Sequence, residues 1–317
     1  MSDSVIKVQN LKKLYRKSTG YAVDDITFEV KNGSFYAFLG PNGAGKSTTI
    51  SILNTTLSKT SGEINVAGFD IDKDQDMVRR SIGVVFQNPS LDLNLTAEEN
   101  IRFHTNLYGL YTYRPSFKLM SSEYKDKMMS LCDLLEIKEK ELYKPIKSFS
   151  GGMKRKMEII RGLIHKPKVL FLDEPTTGLD PISRKNLWKY LQKIRKEENI
   201  TIFLTTHYLE EAEDADSVCI INNGRIVAKG TPLDLKKKLI ENYLIINSDN
   251  KGTLVTELEK MELKYTGSGP FRIELDDKTN IHELLKSINT ELNFIDIHNP
   301  SLEEAYIKII SLDNDNE

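Results

Sequence analysis

The chain has 317 residues, with 44 Lys or Arg against 46 Asp or Glu and a formal charge of −2. Charges of both signs are interspersed, so no global field recruits nucleic acid and no nucleic-acid partner is expected; the length suits one large domain with a smaller one. The two cysteines, Cys132 and Cys219, give no support to a disulfide or zinc framework and fit a reducing cytosol, while no apolar run approaches the ~18 residues of a membrane span and the first residues show no signal-peptide pattern.

Val5 to Leu11 alternates apolar and polar residues, and Ile26 to Val30 repeats the pattern ahead of a turn at Lys31-Asn32-Gly33, which predicts a small antiparallel sheet. Tyr15 lies between these strands, where an exposed aromatic can stack on a base; the plainer reading is a half-buried tyrosine. Ser34 to Leu39 is a short apolar strand, and behind it Gly40-Pro41-Asn42-Gly43-Ala44-Gly45-Lys46-Ser47 fits G-x-x-x-x-G-K-[ST]. The glycines let backbone N–H groups converge on phosphate oxygens, and Lys46 reaches the β- and γ-phosphates as a point charge. The helix continuing through Thr48 to Leu53 turns its positive end to the same anion, and the Ser47 hydroxyl is placed for Mg²⁺.

Gly62 to Gly68 holds a short strand, and Ile82 to Phe86 is an apolar strand ending in Gln87, a polar residue well placed for a ligand. Thr96-Ala97-Glu98-Glu99 forms a capping box, with helices following and continuing from Ser121 to Glu139, and Tyr111 to Pro115 as a loop. Met153, Met157, Ile160 and Ile164 make a helical stripe behind Ser150-Gly151-Gly152, most simply core. Lys154-Arg155-Lys156 and Lys236-Lys237-Lys238 are expected to be solvated helix faces. Val169 to Leu172 is an apolar strand delivering Asp173 and Glu174 at its carboxyl end, and Ile202 to Thr206 delivers His207 to the same edge. Val218 to Ile221 and Arg225 to Ala228 pair through Asn222-Asn223-Gly224 as a hairpin.

Beyond about Leu235 the order becomes strand (Tyr243 to Asn247), helix (Thr253 to Met261), strand (Glu262 to Tyr265), strand (Phe271 to Leu275), helix (Ile281 to Asn289) and strand (Phe294 to Ile297). That is the βαββαβ, ferredoxin-like split pattern of a small α+β domain, followed by a helix from Ser301 to Ile310 and a frayed acidic end over Asp313 to Glu317. Domain limits of 1–234 and 235–317 follow, with a helical subdomain over about 88–165.

Phosphoryl transfer to water needs a phosphate cradle, a metal, a group that places the nucleophile and donors for the γ-phosphate. Asp173 is the candidate for holding Mg²⁺ through water, Glu174 for orienting and deprotonating the attacking water, Gln87 for touching Mg²⁺ or that water, and His207 for donating to the γ-phosphate.

Gly40 to Ser47, Gln87, Ser150-Gly151-Gly152, Val169 to Glu174, Gly178-Leu179-Asp180 and His207 occur in the order and approximate spacing of the nucleotide-binding subunit of ATP-binding-cassette (ABC) transporters. The resemblance covers roughly Val5 to Gly230. It implies an α/β P-loop NTPase: a RecA-like core, an N-terminal antiparallel β subdomain and an α-helical signature subdomain. It also implies ATP and Mg²⁺ as cofactors and a dimer, either of this chain or with a paired ABC ATPase. In such a dimer ATP lies between one phosphate loop and the partner's Ser-Gly-Gly, and Asp180 communicates across the interface. Tyr15 is the choice for stacking on adenine, with Tyr21 as the alternative.

Two departures stand out. Phe149 and Met153 flank the signature where the family usually has Leu and Gln, and the stretch Arg16 to Tyr21 is about two residues longer than usual. Ser148 to Lys156, Thr176 to Pro181 and Asn299 to Tyr306 resemble the daunorubicin-resistance branch of drug exporters, whose subunits pair with a separate ABC-2 type membrane permease. That implies an ATPase subunit on the inner face of the membrane. A soluble ABC ATPase acting on ribosomes or DNA, and an importer subunit, are the alternatives.

Overall fold

The computed structural model describes residues 4–16, 18–88, 90–239, 242–275, 280–298 and 301–314. It divides into two compact units, residues 1–232 and 233–317.

In the first unit, β1 (Ser4–Leu14) and β2 (Tyr21–Lys31) run antiparallel. On β2 the alternation of Ile26, Phe28 and Val30 inward against exposed neighbours sets one face of this sheet toward the core. Next come β3 (Phe35–Leu39), the phosphate loop, α1 (Lys46–Leu53), β4 (Ser61–Val66) and β5 (Phe69–Asp70), and the first sheet has the order β2-β1-β4-β5.

The chain then builds α2 (Gln75–Ser81), β6 (Ile82–Val85), α3 (Ala97–Leu107), α4 (Ser122–Leu134), α5 (Glu139–Leu142), α6 (Gly151–Leu163), β7 (Val169–Asp173), α7 (Pro181–Glu198), β8 (Thr201–Thr206), β9 (Ser217–Asn222) and β10 (Arg225–Gly230). The second sheet has the order β10-β9-β3-β8-β7-β6, parallel from β9 to β6, with β10 antiparallel at its edge. Every residue of β3, β7 and β8 is buried, which is why these strands appear as unbroken apolar runs rather than alternating ones. Phe28 of β2 packs on Tyr36 and Phe38 of β3 and on Phe203 of β8, with ring centroids 5.7, 5.5 and 6.1 Å away, and so fastens the first sheet to the second.

Strand order is what assembles the site. The neighbours β3, β8, β7 and β6 end respectively at the phosphate loop, at His207, at Asp173-Glu174 and just before Gln87. Four segments far apart in sequence therefore open on one edge, where open parallel sheets bind ligands.

The helical stretch expected from Ser121 to Glu139 is divided between two helices. α4 stops at Leu134, Glu136 takes a left-handed φ of 54°, and α5 starts at Glu139. No Gly or Pro announces the break; Leu135 and Ile137 on either side are buried, and their packing holds the reversal in place. The capping box forms as expected: the Thr96 hydroxyl accepts from the Glu99 N–H at 3.2 Å, and the Glu99 carboxylate accepts from the Thr96 N–H at 2.8 Å. The Thr96 N–H, together with the Thr96 hydroxyl, which also donates to the Glu99 carboxylate at 2.8 Å, holds the Glu99 carboxyl below its ordinary value of 4.5. Thr96→Ala is expected to cost about 1 kcal/mol in chemical denaturation. Because the native state binds fewer protons here, the Glu99 contribution is complete above 4.5 and fades as pH falls through the lowered native value. The mutant penalty should therefore shrink in acid.

The second unit contains α8 (Pro232–Leu239, its first residue still in the first unit), β11 (Asn242–Asn247), α9 (Lys251–Lys260), β12 (Tyr265–Thr266), β13 (Phe271–Leu275), α10 (Ile281–Ser287), β14 (Phe294–His298) and α11 (Leu302–Asn314). Its antiparallel sheet runs β12-β13-β11-β14, the split βαββαβ arrangement, over a core that includes Leu244, Ile246, Leu254, Phe271 and Ile273. Several boundaries differ from expectation. Glu262 takes a φ of 55° just past the end of α9, so β12 begins at Tyr265 rather than Glu262. α10 ends at Ser287 because Ile288 turns extended, and α11 continues to Asn314, so the acidic end is helical that far. Residues 315–317 of that end, Asn299-Pro300 and Lys17 lie outside the described residues, as do the side chains of Lys237 and Lys238.

Candidate active site

The phosphate loop is clamped between two sheets. Gly45 has a φ of 106°, and a Cβ there would sit 2.5 Å from the carbonyl oxygen of Ala22 on β2, so only glycine lets the loop curl this tightly. The Thr49 N–H and hydroxyl both donate to the Gly45 carbonyl at 2.9 Å, winding the first turn of α1. Ala44 is packed inward, and its N–H donates to the Pro41 carbonyl at 3.2 Å. Lys46 is only 4% exposed; its ammonium donates to the carbonyls of Gly40 at 2.8 Å and Pro41 at 3.1 Å. Burial lowers its pKa, against the pull of Glu174.

Asn42, Gly43, Gly45, Lys46, Ser47, Thr48, Gln87, Glu174 and His207 line one cleft of ≈ 470 Å³. Glu174 is its centre. Leaving β7 with a φ of 44°, a sparsely populated conformation for a residue with a side chain, it turns its carboxylate back over the loop. Gln87 donates to its Oε2 at 3.1 Å and Thr177 at 3.4 Å, while its Oε1 lies 3.3 Å from His207 Nδ1 and 3.6 Å from Lys46 Nζ. Beside it, Asp173 Oδ1 accepts from the Ser47 hydroxyl at 3.3 Å and from the Thr205 hydroxyl. Burial raises the Asp173 pKa, opposed by Thr205 and Ser47.

Tyr15 and Tyr21 are 43% and 45% exposed, and neither lines the cleft. The Tyr15 hydroxyl is 3.3 Å from that of Thr48, which does line it. Ser150, Gly151 and Gly152 stand apart from the cleft. The Ser150 hydroxyl caps α6 by accepting from the Met153 N–H at 3.3 Å, and Ser150 and Gly152 line a separate cavity of ≈ 180 Å³ with Leu179 and Ser183. Asp180 caps α7, accepting from the N–H groups of Ile182 at 3.1 Å and Ser183 at 3.0 Å, and the bonds to Ser183 lower its pKa.

Residues 23–177 match the family described as ABC transporter. Over 317 aligned residues the chain is 32% identical to the linearmycin resistance ATP-binding protein of Bacillus subtilis, covering 96% of this chain and 98% of that protein. The chain belongs to the ABC transporter family. The cassette is also 38% identical over 240 residues to the daunorubicin/doxorubicin resistance ATP-binding protein of Streptomyces peucetius, covering 75% of this chain and 69% of that one. Among solved structures it superposes on a dimeric ATP-binding cassette bound to ADP and phosphate in a post-hydrolysis state. The TM-score is 0.62 at 27% identity, over 71% of this chain and 98% of that one. The cassette is thus an ATP-binding and ATP-hydrolysing subunit. No helix among the described residues is long and apolar enough to cross a membrane.

Sequence reasoning missed several participants. Thr205 faces Asp173 because β7 and β8 pair in that register; the hydroxyl-bearing end of an otherwise apolar strand was the available signal. The expectation of a solvated face over Lys154-Arg155-Lys156 fails: Arg155 is buried and the two lysines are half-buried. The cause is a carboxylate one turn on, Glu158, whose Oε2 lies 2.8 Å from Arg155.

Proposed function

We propose that this cassette powers a drug- or antibiotic-type exporter, working in a head-to-tail dimer on a separately encoded ABC-2 type permease at the cytoplasmic face of the membrane. The observation that carries the chemical part is the convergence of Lys46, Gln87 and His207 on Glu174, next to the Ser47–Asp173 pair. In this reading the N–H groups of the loop and Lys46 hold the phosphates, and Tyr15 stacks on adenine. Glu174 takes the proton of the attacking water as that oxygen bonds to the γ-phosphorus and the bond to ADP breaks. Gln87 orients the water, and His207 donates to the departing phosphate.

The donor set fits Mg²⁺. Ser47 and Asp173 offer oxygens only, and no cluster of three or more His, Cys, Asp or Glu that could cage a metal occurs among the described residues. One carboxylate completed by substrate phosphates is how this small, hard cation is usually held. When bound it neutralises charge on the phosphate oxygens. A carboxyl whose ionised form is under-solvated, as at Asp173, gains most from a cation beside it.

The position of Ser150-Gly151-Gly152 supports the dimer: a helix N-terminus with glycine N–H groups and a hydroxyl forms an anion site, here away from its own cleft. Export is favoured by the relatives, which are named for resistance to linearmycin and to daunorubicin and doxorubicin. Residues 1–234 would be the ATPase domain and 235–317 an accessory domain. The test is affinity capture of the tagged chain from detergent-solubilised membranes of its source cell, with mass spectrometry. A stoichiometric polytopic permease is expected; ribosomal or nucleic-acid proteins without one would overturn transport and leave the ATPase chemistry standing.

A further inference from the structure

α6 begins at the signature and, five residues after Ser150, reaches the segment that carries Gln87. Arg155 Nη1 donates to the Phe86 carbonyl at 2.6 Å and Nη2 to the Gln87 carbonyl at 3.0 Å, while Nη1 also pairs with Glu158 Oε2 at 2.8 Å. The other oxygen of Glu158 accepts from the Ser90 N–H at 2.9 Å, and Arg161 donates to the Ser90 carbonyl at 2.9 Å and to its hydroxyl at 2.6 Å. Successive turns of one helix thus grip the backbone on both sides of Gln87's loop. Arg155 and Glu158 are 4% and 0% exposed, so their ion pair is shielded from water and from salt. At its far end α6 lies against β6 backbone to backbone: a Cβ at Gly83 would come 2.3 Å from the Gly162 carbonyl oxygen. The helix is therefore pinned to the sheet near Gly162, and a displacement of Ser150 tilts it about that contact and carries Arg155 along.

We propose that Arg155, held by Glu158, ties Gln87 to the signature helix, so that contact between Ser150-Gly151-Gly152 and the nucleotide of the partner protomer sets the position of Gln87 in this protomer's own cleft. The proposal rests on the head-to-tail dimer above. Its consequence is that the two composite sites of the dimer report to each other through one rod in each protomer. The distance along α6 from Ser150 to Arg155 is about 7.5 Å, short enough for a helix to transmit a shift without bending. Arg155 touches no reacting atom and is a positioning residue. Arginine is required because two carbonyls and a carboxylate are engaged at once by a planar fork; a lysine ammonium reaches a subset of them.

The experiment uses the full chain and compares ATP hydrolysis against MgATP concentration in the wild type, in Arg155→Lys, which keeps the charge beside Glu158, and in the double variant Arg155→Gln/Glu158→Gln, which buries no charge. Binding of a fluorescent ATP analogue and thermal melting are recorded alongside. Both variants are expected to lose roughly ten- to a hundredfold in kcat, the scale of a misplaced reacting geometry, with nucleotide affinity within about twofold of wild type. The Hill coefficient should fall from above 1 to about 1, since coupling between the sites is what raises it. Wild-type kcat and cooperativity in both variants would overturn the tie while leaving the dimer intact. So would a loss of nucleotide affinity in step with kcat, which marks general damage to the cleft. A wild type with a Hill coefficient of about 1, together with no ATP-dependent dimer of Glu174→Gln, would overturn the head-to-tail reading and this proposal with it.

Discussion

Glu174→Gln should lower ATP turnover by roughly 10²- to 10⁴-fold, the usual contribution of a general base, while ATP still binds and holds two chains together. The replacement keeps the size of the side chain and an acceptor oxygen for the bonds that Gln87 and Thr177 now make. What disappears is the group that receives the water's proton, and with it one negative charge 3.6 Å from Lys46. Removing an anion from a cleft that must take up a polyphosphate relieves repulsion, so affinity should hold or rise. We propose that ATP binding closes the dimer and hydrolysis reopens it, so a variant that binds without hydrolysing accumulates in the closed form. Light scattering with MgATP should show the doubled mass and phosphate release should show the lost rate. Normal turnover in this variant would remove Glu174 from the proton-transfer role.

How much of this site is legible in the sequence depends on whether the signal is local. The phosphate loop, the apolar strands ahead of Asp173 and His207, the capping box at Thr96 and the Asn223-Gly224 hairpin are each written in a few consecutive residues, and all appear in the fold. That Lys46, Gln87 and His207 meet at Glu174 is not local. It follows from the strand order β3-β8-β7-β6, which no window of residues specifies. Arg155 fails for the same reason: read with its neighbours it looks like part of a solvated basic face, yet its acceptors lie on a loop some 70 positions earlier in the chain. The break at Glu136 carries neither Gly nor Pro, because the packing of Leu135 and Ile137 overrides propensity there. Conversely, Ser150-Gly151-Gly152 is easily seen as an anion site in sequence but has no anion site to complete within its own protomer's cleft. In the proposed head-to-tail dimer, one chain carries both halves of a composite site and a second protomer supplies the complement of each.

Lys46→Ala should instead act on binding. A charge-assisted hydrogen bond to a phosphate is worth about 1.5–3 kcal/mol, so the variant should bind MgATP roughly ten- to a hundredfold more weakly before any effect on chemistry. Lys46→Arg should not rescue it: the ammonium is seated on the carbonyls of Gly40 at 2.8 Å and Pro41 at 3.1 Å, a point-charge seat that a longer, planar guanidinium does not reproduce. The loss should be specific to nucleotide, because the ammonium is already disfavoured by burial and removing it spares the fold that desolvation cost. Without nucleotide, the melting temperature of Lys46→Ala should stay near that of the wild type; with saturating MgATP the wild type should gain the stability that ligand linkage provides and the variant should gain little. Filter binding measures the affinity directly, and an unchanged value would count against the cradle. Together the two substitutions separate the steps: Glu174→Gln traps a bound state that does not turn over, and Lys46→Ala fails to reach it, so only the former should form an ATP-dependent dimer at nucleotide concentrations that saturate the wild type.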